Sequence, residues 1–386
     1  MRPVSISDFR AAARRRLPLF LFDFIDGGAN AEITRARNVE DLAKLALRQR
    51  VLRDVSSIDL STALFGEAWS MPIALGPVGL AGLVARRGEV QAARAAEKAG
   101  VPFCLATLSN CPLKEVRSAV QRPFWFQLYP LHDRGFMREL LEHAAETGCR
   151  TLVFTVDMPV PGVRYREERS GHASSPPLIR TIWRVCHAMV RPGWAWDVGI
   201  CGLPHTLGNL AAVLKRSAGL RADFNPSMTW TDLEWIRAGW KGPLVIKGIL
   251  DRDDAIRAAD LGADGIVVSN HGGRQLDGVP STVRVLPGLA DAVGDRLSLL
   301  VDGGVLSGLD VVRMLALGAR GVLLGRAWIF ALAAGGEKAV AYMIDIIRRE
   351  MTVAMALTGV TRIADIDRRI LEAEGRALAS EARALL

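Results

Sequence analysis

The chain has no apolar run of roughly 18 residues or more, the length a membrane-spanning helix needs. Its start carries no signal peptide but an amphipathic, helix-like segment, and a cytoplasmic protein is expected. Cysteines are few: residues 104, 111, 149, 186 and 201. Their number is odd and their spacing matches no metal site, so they read as structural thiols of a reducing compartment, and no metal is expected. Nucleic-acid-binding motifs are absent too. The net charge of +8 comes from dispersed arginines, and no nucleic-acid partner is expected. Five of the six histidines (132, 143, 172, 187 and 205) have no chemical context and read as surface or structural.

What is present begins with two helical segments, about residues 7–16 and 17–26, ended by Gly27-Gly28. An arginine-rich helical or irregular stretch follows, as far as Arg53. From residue 71 the rhythm changes, and short apolar runs alternate with helical segments. The runs are Ile73–Leu75, Phe103–Leu105, Phe124–Phe126, Thr151–Val156, Leu244–Ile246, Gly265–Val268, Leu297–Val301 and Gly321–Leu324. Alternation of this kind argues for parallel strands joined by crossover helices. Eight such units predict an α/β fold, a (β/α)8 TIM barrel, with an open doubly wound sheet as the alternative. The chain then divides into an N-terminal helical extension, residues 1–60, and a barrel domain, residues 61–386.

The spacing breaks once, after the fourth strand. More than eighty residues separate Asp157 from Leu244, where one strand–helix unit needs about thirty. The insertion, residues 170–230, holds Arg180, Arg184, Arg191, Lys215, Arg216 and Arg221 within its first part, residues 170–222, against a single acid, Asp197. It also holds Trp183, Trp194 and Trp196. Basic residues interleaved with tryptophans suit a peripheral membrane contact. A packed lid over an active site is the competing reading.

Active sites of such barrels gather just past the C-terminal strand ends. Found there are Pro77-Val78-Gly79, Thr107, Gln127 with Tyr129, Thr155 with Asp157, Lys247, Ser269 to Arg274, Asp302-Gly303-Gly304, and Gly325-Arg326. His271 and Arg274 form a base and a cation three residues apart. Asp157 is either the carboxylate that orients His271 or the cap of its own turn. Tyr129 and Gln127 share one strand side, as a site pair or as ordinary packing. Arg164 opens the insertion and could be a surface charge. Glycine turns at Gly303, Gly304 and Gly325, with Arg326, fit a phosphate site, although tight turns have the same composition. Lys247 reads as a Schiff-base nucleophile, a partner for an anion, or a snorkelling side chain.

The run Ser269-Asn270-His271-Gly272-Gly273-Arg274-Gln275-Leu276-Asp277 resembles the active-site signature of the FMN-dependent 2-hydroxy acid oxidases and dehydrogenases. The resemblance covers nearly the whole chain and runs to the branch of bacterial respiratory L-lactate dehydrogenases. It rests on Arg-Asn-Val-Glu-Asp-Leu from 37, Pro-Val-Gly-Leu from 77, Trp-Phe-Gln-Leu-Tyr from 125, Phe-Thr-Val-Asp-Met-Pro from 154, Trp-Ala-Trp-Asp-Val-Gly from 194 and Val-Ile-Lys-Gly-Ile-Leu-Asp from 245.

The resemblance implies oxidation of a small L-2-hydroxy acid, L-lactate first and mandelate-like acids next, with FMN as cofactor. It implies His271 as base, paired with Asp157, and Tyr129 on the substrate hydroxyl. Arg274 and Arg164 would hold the carboxylate. Pro77, Val78, Gly79, Gln127 and Thr155 would contact the flavin ring, with Ser269 beside it and Lys247 at its edge. Asp302 would take the ribityl chain, and Gly303, Gly304, Gly325 and Arg326 the phosphate. Gly79, in place of alanine, resembles the branch that passes electrons to a quinone or another acceptor other than oxygen. Relatives are commonly tetrameric, and the insertion resembles the membrane tether of some, which would put the protein at the cytoplasmic face of the inner membrane.

Three positions depart from the family pattern. Phe24 stands where a tyrosine usually meets the substrate, a hydrogen bond whose loss typically costs about 1–3 kcal/mol. Ala106 replaces a serine, and Leu306 replaces an arginine near the phosphate. These departures motivate one rival reading, a degenerate relative that only binds an anion or a membrane. A separate rival is a phosphate-binding barrel isomerase or lyase without redox chemistry, with Lys247 as nucleophile.

Overall fold

The computed structural model describes residues 2–170, 177–210 and 224–372. Three helices form the N-terminal extension: α1 (Ile6–Arg16), α2 (Leu19–Asp26) and α3 (Ile33–Lys44). Ser5 caps α1 by accepting from the Asp8 amide, and Ile6, Phe9 and Ala13 give the helix one buried stripe. Pro18 starts α2 two residues later than the sequence suggests, because proline suits a position just before the first helical turn. The arginine-rich stretch is helical through Lys44 and irregular beyond it.

The eight expected strands are present: β1 (Ile73–Leu75), β2 (Cys104–Ala106), β3 (Trp125–Leu128), β4 (Leu152–Thr155), β5 (Leu244–Ile249), β6 (Gly265–Val268), β7 (Ser298–Val301) and β8 (Gly321–Leu324). Each pairs parallel with the next from β2 to β8, and β8 pairs with β1. The ring closes between β1 and β2 through one bridge, Leu75 to Phe103, where the Leu75 amide donates to the Pro102 carbonyl at 2.9 Å. This is a (β/α)8 barrel.

Side chains along these strands alternate between two environments, as a two-residue period requires. One set faces the helical layer. It shares a single hydrophobic cluster with α1, α2 and the long helix Arg326–Thr358, which kinks at Gly335 and Gly336. The other set fills the barrel with one residue per strand: Ala74, Cys104, Trp125, Val153, Val245, Val267, Leu300 and Leu323. A two-stranded hairpin, Thr62–Leu64 with Glu67–Trp69, plugs the N-terminal end by packing Leu64, Phe65 and Trp69 onto this layer. No apolar run in the sequence marks this hairpin, whose strands have one buried residue each.

Two residues further along each strand, the same face presents Gly76, Ala106, Gln127, Thr155, Lys247, Ser269, Asp302 and Gly325. An apolar layer therefore seals the barrel, and the next layer toward its C-terminal mouth is polar or small. That second layer floors the site.

In the insertion, a helix spans Pro177–Met189, and a short one, Pro192–Trp194, runs into a wide turn over Ala195–Ile200. Trp183 and Trp196 are exposed, but Trp194 is not a surface residue. It is buried and donates through Nε1 to the Leu83 carbonyl at 2.8 Å, which corrects the expectation for one of the three tryptophans. Lys215, Arg216 and Arg221 lie outside the described residues, as do the side chains of Arg180 and Arg184. Among the described residues, no helix is long and apolar enough to cross a membrane, and no cluster of ligating side chains could hold a metal ion.

Candidate functional site

A cavity of about 630 Å³ opens at the C-terminal mouth. The strand-end residues Pro77, Val78, Gly79, Tyr129, Lys247, His271, Arg274, Asp302, Gly303, Gly304, Gly325 and Arg326 line it, joined by Arg164. Gln127, Thr155, Asp157 and Ser269 stand behind this surface and hold it. The Gln127 side chain accepts from the Thr107 amide and donates to Thr155 Oγ1 at 3.0 Å. The Ser269 hydroxyl accepts from Lys247 Nζ at 2.8 Å and from the His271 amide at 3.0 Å.

The loop after β6 holds His271 in a left-handed conformation, with φ of 56°. A residue other than glycine adopts this conformation at a cost, and such strain gathers where a side chain must be aimed. His271 Nδ1 lies 3.0 Å from Asp157 Oδ1, which leaves Nε2 as the ring nitrogen free for chemistry. Gly248 permits the approach of Asp157, since a Cβ at 248 would sit 2.5 Å from the Asp157 Cβ. Burial pushes the His271 imidazole below its ordinary value, Asp157 opposes that shift, and the charge of Lys247 adds to it. Burial works against ionisation of Asp157, but His271 and Lys247 outweigh it and keep the carboxyl below its usual range. The result is a neutral imidazole with an ionised carboxylate behind it, the arrangement of a general base. The Tyr129 ring stacks on that of His271 with centroids 6.5 Å apart. Burial, with Asp157 nearby, pushes the Tyr129 phenol up to about 12, so it stays a donor at neutral pH.

Lys247 Nζ lies 3.0 Å from Asp302 Oδ2. Burial disfavours its charge, yet Asp302 and Asp157 more than compensate and raise it. A lysine held protonated is a poor amine nucleophile, which counts against the lyase reading of the sequence.

Arg274 and Arg164 line the same cavity. Arg274 donates through Nη1 to the carbonyls of Phe24 (2.6 Å) and Gly27 (2.9 Å) and through Nη2 to Glu167 Oε1 (3.1 Å). Its guanidinium lies over the Phe24 ring, 5.2 Å from the centroid. Burial, with the like charge of Arg164 beside it, brings Arg274 down to about 10, still cationic at neutral pH. Arg164 donates through Nε to the Arg274 carbonyl at 3.3 Å and approaches Glu167 at 3.6 Å.

Arg326 is engaged differently from the fork expected for a phosphate. Its Nη1 donates to the Gly272 carbonyl and its Nη2 to the Gly27 carbonyl, which leaves a buried Nε without a partner among the described residues. Arg326 also begins the helix Arg326–Thr358, whose cap, Gly325, offers no side chain, so its first amides face the cavity mouth uncapped. Gly303 and Gly304 have φ of 97° and 76°, and a Cβ at 304 would sit 2.2 Å from the Asn38 carbonyl oxygen, so α3 closes directly on this turn. Leu306 lines the cavity, and its amide donates to Asp310 Oδ2. Ala106 belongs to the floor layer and is buried.

Sequence reasoning missed two acids. Glu167 is buried between Arg164 and Arg274. Asp26, fully buried, accepts from Arg10 at 2.6 and 2.8 Å, from Arg35 at 3.3 Å and from Arg166 at 2.8 Å. Burial opposes its charge, but Arg10, Arg166 and Arg35 outweigh that and hold Asp26 far below the usual carboxylate range. This knot ties α1, α3 and the residues after Arg164 to the turn at Gly27, whose carbonyl anchors both Arg274 and Arg326.

A family model described as FMN-dependent dehydrogenase matches residues 13–373. The chain is 63% identical over 374 residues to an L-lactate dehydrogenase of Caulobacter vibrioides (strain NA1000 / CB15N), covering 95% of this chain and 97% of that one. It is 61% identical over 369 residues to an L-lactate dehydrogenase of Stenotrophomonas maltophilia (strain R551-3), covering 94% and 97%. Among solved structures, the monotopic membrane protein (S)-mandelate dehydrogenase superposes with a TM-score of 0.87 at 33% identity, covering 96% of this chain and 100% of that one.

Proposed function

Since the chain belongs to the family of FMN-dependent dehydrogenases, whose chemistry here is oxidation of a 2-hydroxy acid, we propose that its substrate is L-lactate and that the electrons leave to a quinone or another acceptor other than oxygen. The observation that carries this reading is the pairing across one cavity of a neutral His271, backed by Asp157, with the two cations Arg164 and Arg274. A base facing a carboxylate clamp is what removal of hydrogen beside a carboxylate requires.

FMN, when bound, supplies the acceptor for two electrons. The residues fit such a group. Asp302 Oδ1 and Arg326 Nε are buried polar atoms that lack a partner among the described residues, a state that calls for one. An added Cβ at Gly325 would meet nothing within 4 Å, so glycine there keeps space open beside an uncapped helix start, which favours a phosphate. Pro77, Val78, Gly79, Lys247 and Asp302 would hold the ring and its chain, with Gln127, Thr155 and Ser269 bracing them from behind. Gly303, Gly304, Gly325 and Arg326 would hold the phosphate end.

Arg274 and Arg164 hold the substrate carboxylate, which fixes C2 with respect to His271. Tyr129 donates to the 2-hydroxyl oxygen. His271 Nε2 accepts the one hydrogen of the pair that departs as a proton, and Asp157 stabilises the imidazolium so formed. Lys247 keeps a buried positive charge in the cavity floor, where negative charge arrives during the reaction.

The exposed apolar residues Trp183, Val185, Met189, Val190, Trp196, Ile200 and Leu203 fall within one short stretch of the insertion. They support a peripheral membrane contact, which would bring the site to a lipid-borne acceptor. A homotetramer, common among relatives, is part of the same reading.

The test is anaerobic. Purified yellow protein is mixed with L-lactate, D-lactate and (S)-mandelate, and then with a quinone analogue or air. Rapid loss of the visible flavin band with L-lactate, and its recovery with quinone faster than with air, is expected. A protein that stays yellow with every acid contradicts the reading, and faster recovery in air removes the assignment of the acceptor.

A further inference from the structure

Glu167 is a carboxylate placed where a carboxylate-binding site would otherwise show two bare arginines. Its side chain is 11% exposed, against 15% for Arg274 and 17% for Arg164. One oxygen, Oε1, serves both: it accepts from Arg274 Nη2 at 3.1 Å and lies 3.6 Å from Arg164 Nη1.

The guanidinium of Arg274 carries five N–H groups. Nη1 uses its two on Phe24 and Gly27, and Nη2 uses one on Glu167. The two that remain, on Nε and Nη2, lie along one edge of the plane. Glu167 therefore does two things. It fixes which edge of Arg274 is left for a ligand, and it cancels one of two neighbouring positive charges. The clamp keeps a net charge of one, which a single substrate carboxylate neutralises. A second carboxylate on the same ligand would enter a cavity walled by Phe24, Val78, Leu108 and Met158 beside Glu167, where, among the described residues, Lys247, Arg10 and Arg35 are already paired with acids and Arg326 would serve the phosphate end. Burial of an unpaired charge in such surroundings is strongly unfavourable.

We propose that Glu167 sets the charge of the Arg164–Arg274 clamp, so that the site takes 2-hydroxy monocarboxylates and rejects 2-hydroxy dicarboxylates. The proposal rests on the reading of this clamp as the carboxylate site. Glu167 acts through the arginines as a positioning residue and does not touch the reacting atoms.

Binding tests this separately from turnover. Succinate and its mono-amide, succinamate, have nearly equal size and differ by one charge. Their dissociation constants are measured on the FMN-loaded protein from the perturbation of its visible spectrum, with propionate as the unsubstituted control. The wild type should bind succinamate and propionate at least about tenfold more tightly than succinate, the size of effect expected for an uncompensated charge at this range. Glu167→Gln keeps an oxygen for Arg274 and removes the charge. It should lower the succinate-to-succinamate ratio of dissociation constants at least about tenfold, while Glu167→Asp keeps the wild-type ratio. For L-lactate, Glu167→Gln should change KM more than kcat.

A ratio that does not move in yellow Glu167→Gln overturns the proposal. So does a wild type that binds succinate as tightly as succinamate, a result that needs no variant to fold. Failure of L-lactate to bleach the protein strikes the function and leaves these binding ratios readable.

Discussion

His271 Nδ1 and Asp157 Oδ1 lie 3.0 Å apart, and the backbone at residue 271 is held at φ of 56° to make that contact. The pair arises at the ends of two strands that are not neighbours, β4 and β6. Gly248 on the strand between them leaves the room that Asp157 needs. Orientation and charge are thus set together: the carboxylate holds the ring and would support a cation formed on it.

Asp157→Asn should keep FMN and lower kcat about 10²-fold, within the range usual for acid–base assistance. The pH dependence gives the sign. On the proposed reading His271 is a neutral base, and burial already lowers its affinity for a proton, so wild-type kcat/KM should hold below pH 6.5, the ordinary histidine value, and fall only in more acid solution. Asp157 opposes that lowering, so its removal should move the acid limb further down while the rate drops. Steady-state kinetics in the wild type and variant between pH 4.5 and 8, on the order of the histidine range, check both. An acid limb that moves upward contradicts the pairing.

Lys247 should not form an imine. Asp302 at 3.0 Å and the Ser269 hydroxyl at 2.8 Å hold it protonated. Borohydride added with pyruvate should leave Lys247 unmodified by peptide mass analysis. Lys247→Met should lower kcat by roughly 10²–10³, as loss of one preorganised charge does. A reduced adduct on Lys247 would revive the lyase reading.

Asp26→Asn should destabilise the fold at pH 7 by about 1–3 kcal/mol, the usual range for charge-assisted bonds. The value is kept low because its arginine partners are part-exposed and screened. The folded-state pKa of Asp26 is depressed. Its contribution is therefore full above the unfolded value of about 3.9 and fades as pH falls from there toward the folded value. Urea unfolding should show a wide gap between wild type and variant at pH 7 and a narrower one near pH 3. KM for L-lactate should also rise, because the turn at Gly27 anchors Arg274.

Trp183→Ser with Trp196→Ser should shift the protein from vesicles of anionic lipid to the soluble fraction in a flotation assay, with kcat for L-lactate toward a soluble acceptor unchanged. Both rings are exposed on the insertion, away from the cavity. Unchanged flotation counts against this stretch as the contact.

Most of the barrel was legible because each strand is buried on both faces and reads as an apolar run between helices. The errors at its strands were of one to three residues at their ends, the largest at β5, which runs on to Ile249. They matter for direction: Phe103 and Phe124 pack outward, and Cys104 and Trp125 fill the interior. The polar site was legible as the residues found just past each run. The plugging hairpin was not, since its strands are three residues long with only one buried residue each. Glu167 was hidden in the charged run Arg166–Arg169, which looks like a solvated face. Its spacing of three from Arg164 was the one local signal. Asp26 sits in an apolar helix, a hint of a buried charge. Its partners Arg10 and Arg166 are 16 and 140 residues away, and nothing local marks them.

The central claim is that His271 takes the proton from a 2-hydroxy acid held by Arg164 and Arg274. It is tested most directly by anaerobic stopped-flow mixing of L-lactate with yellow wild type and yellow His271→Ala, following the visible flavin band. The account predicts rapid bleaching of the wild type and a rate at least about 10²-fold slower in the variant, which should still give a saturable spectral change with propionate. Bleaching of His271→Ala at the wild-type rate would contradict it.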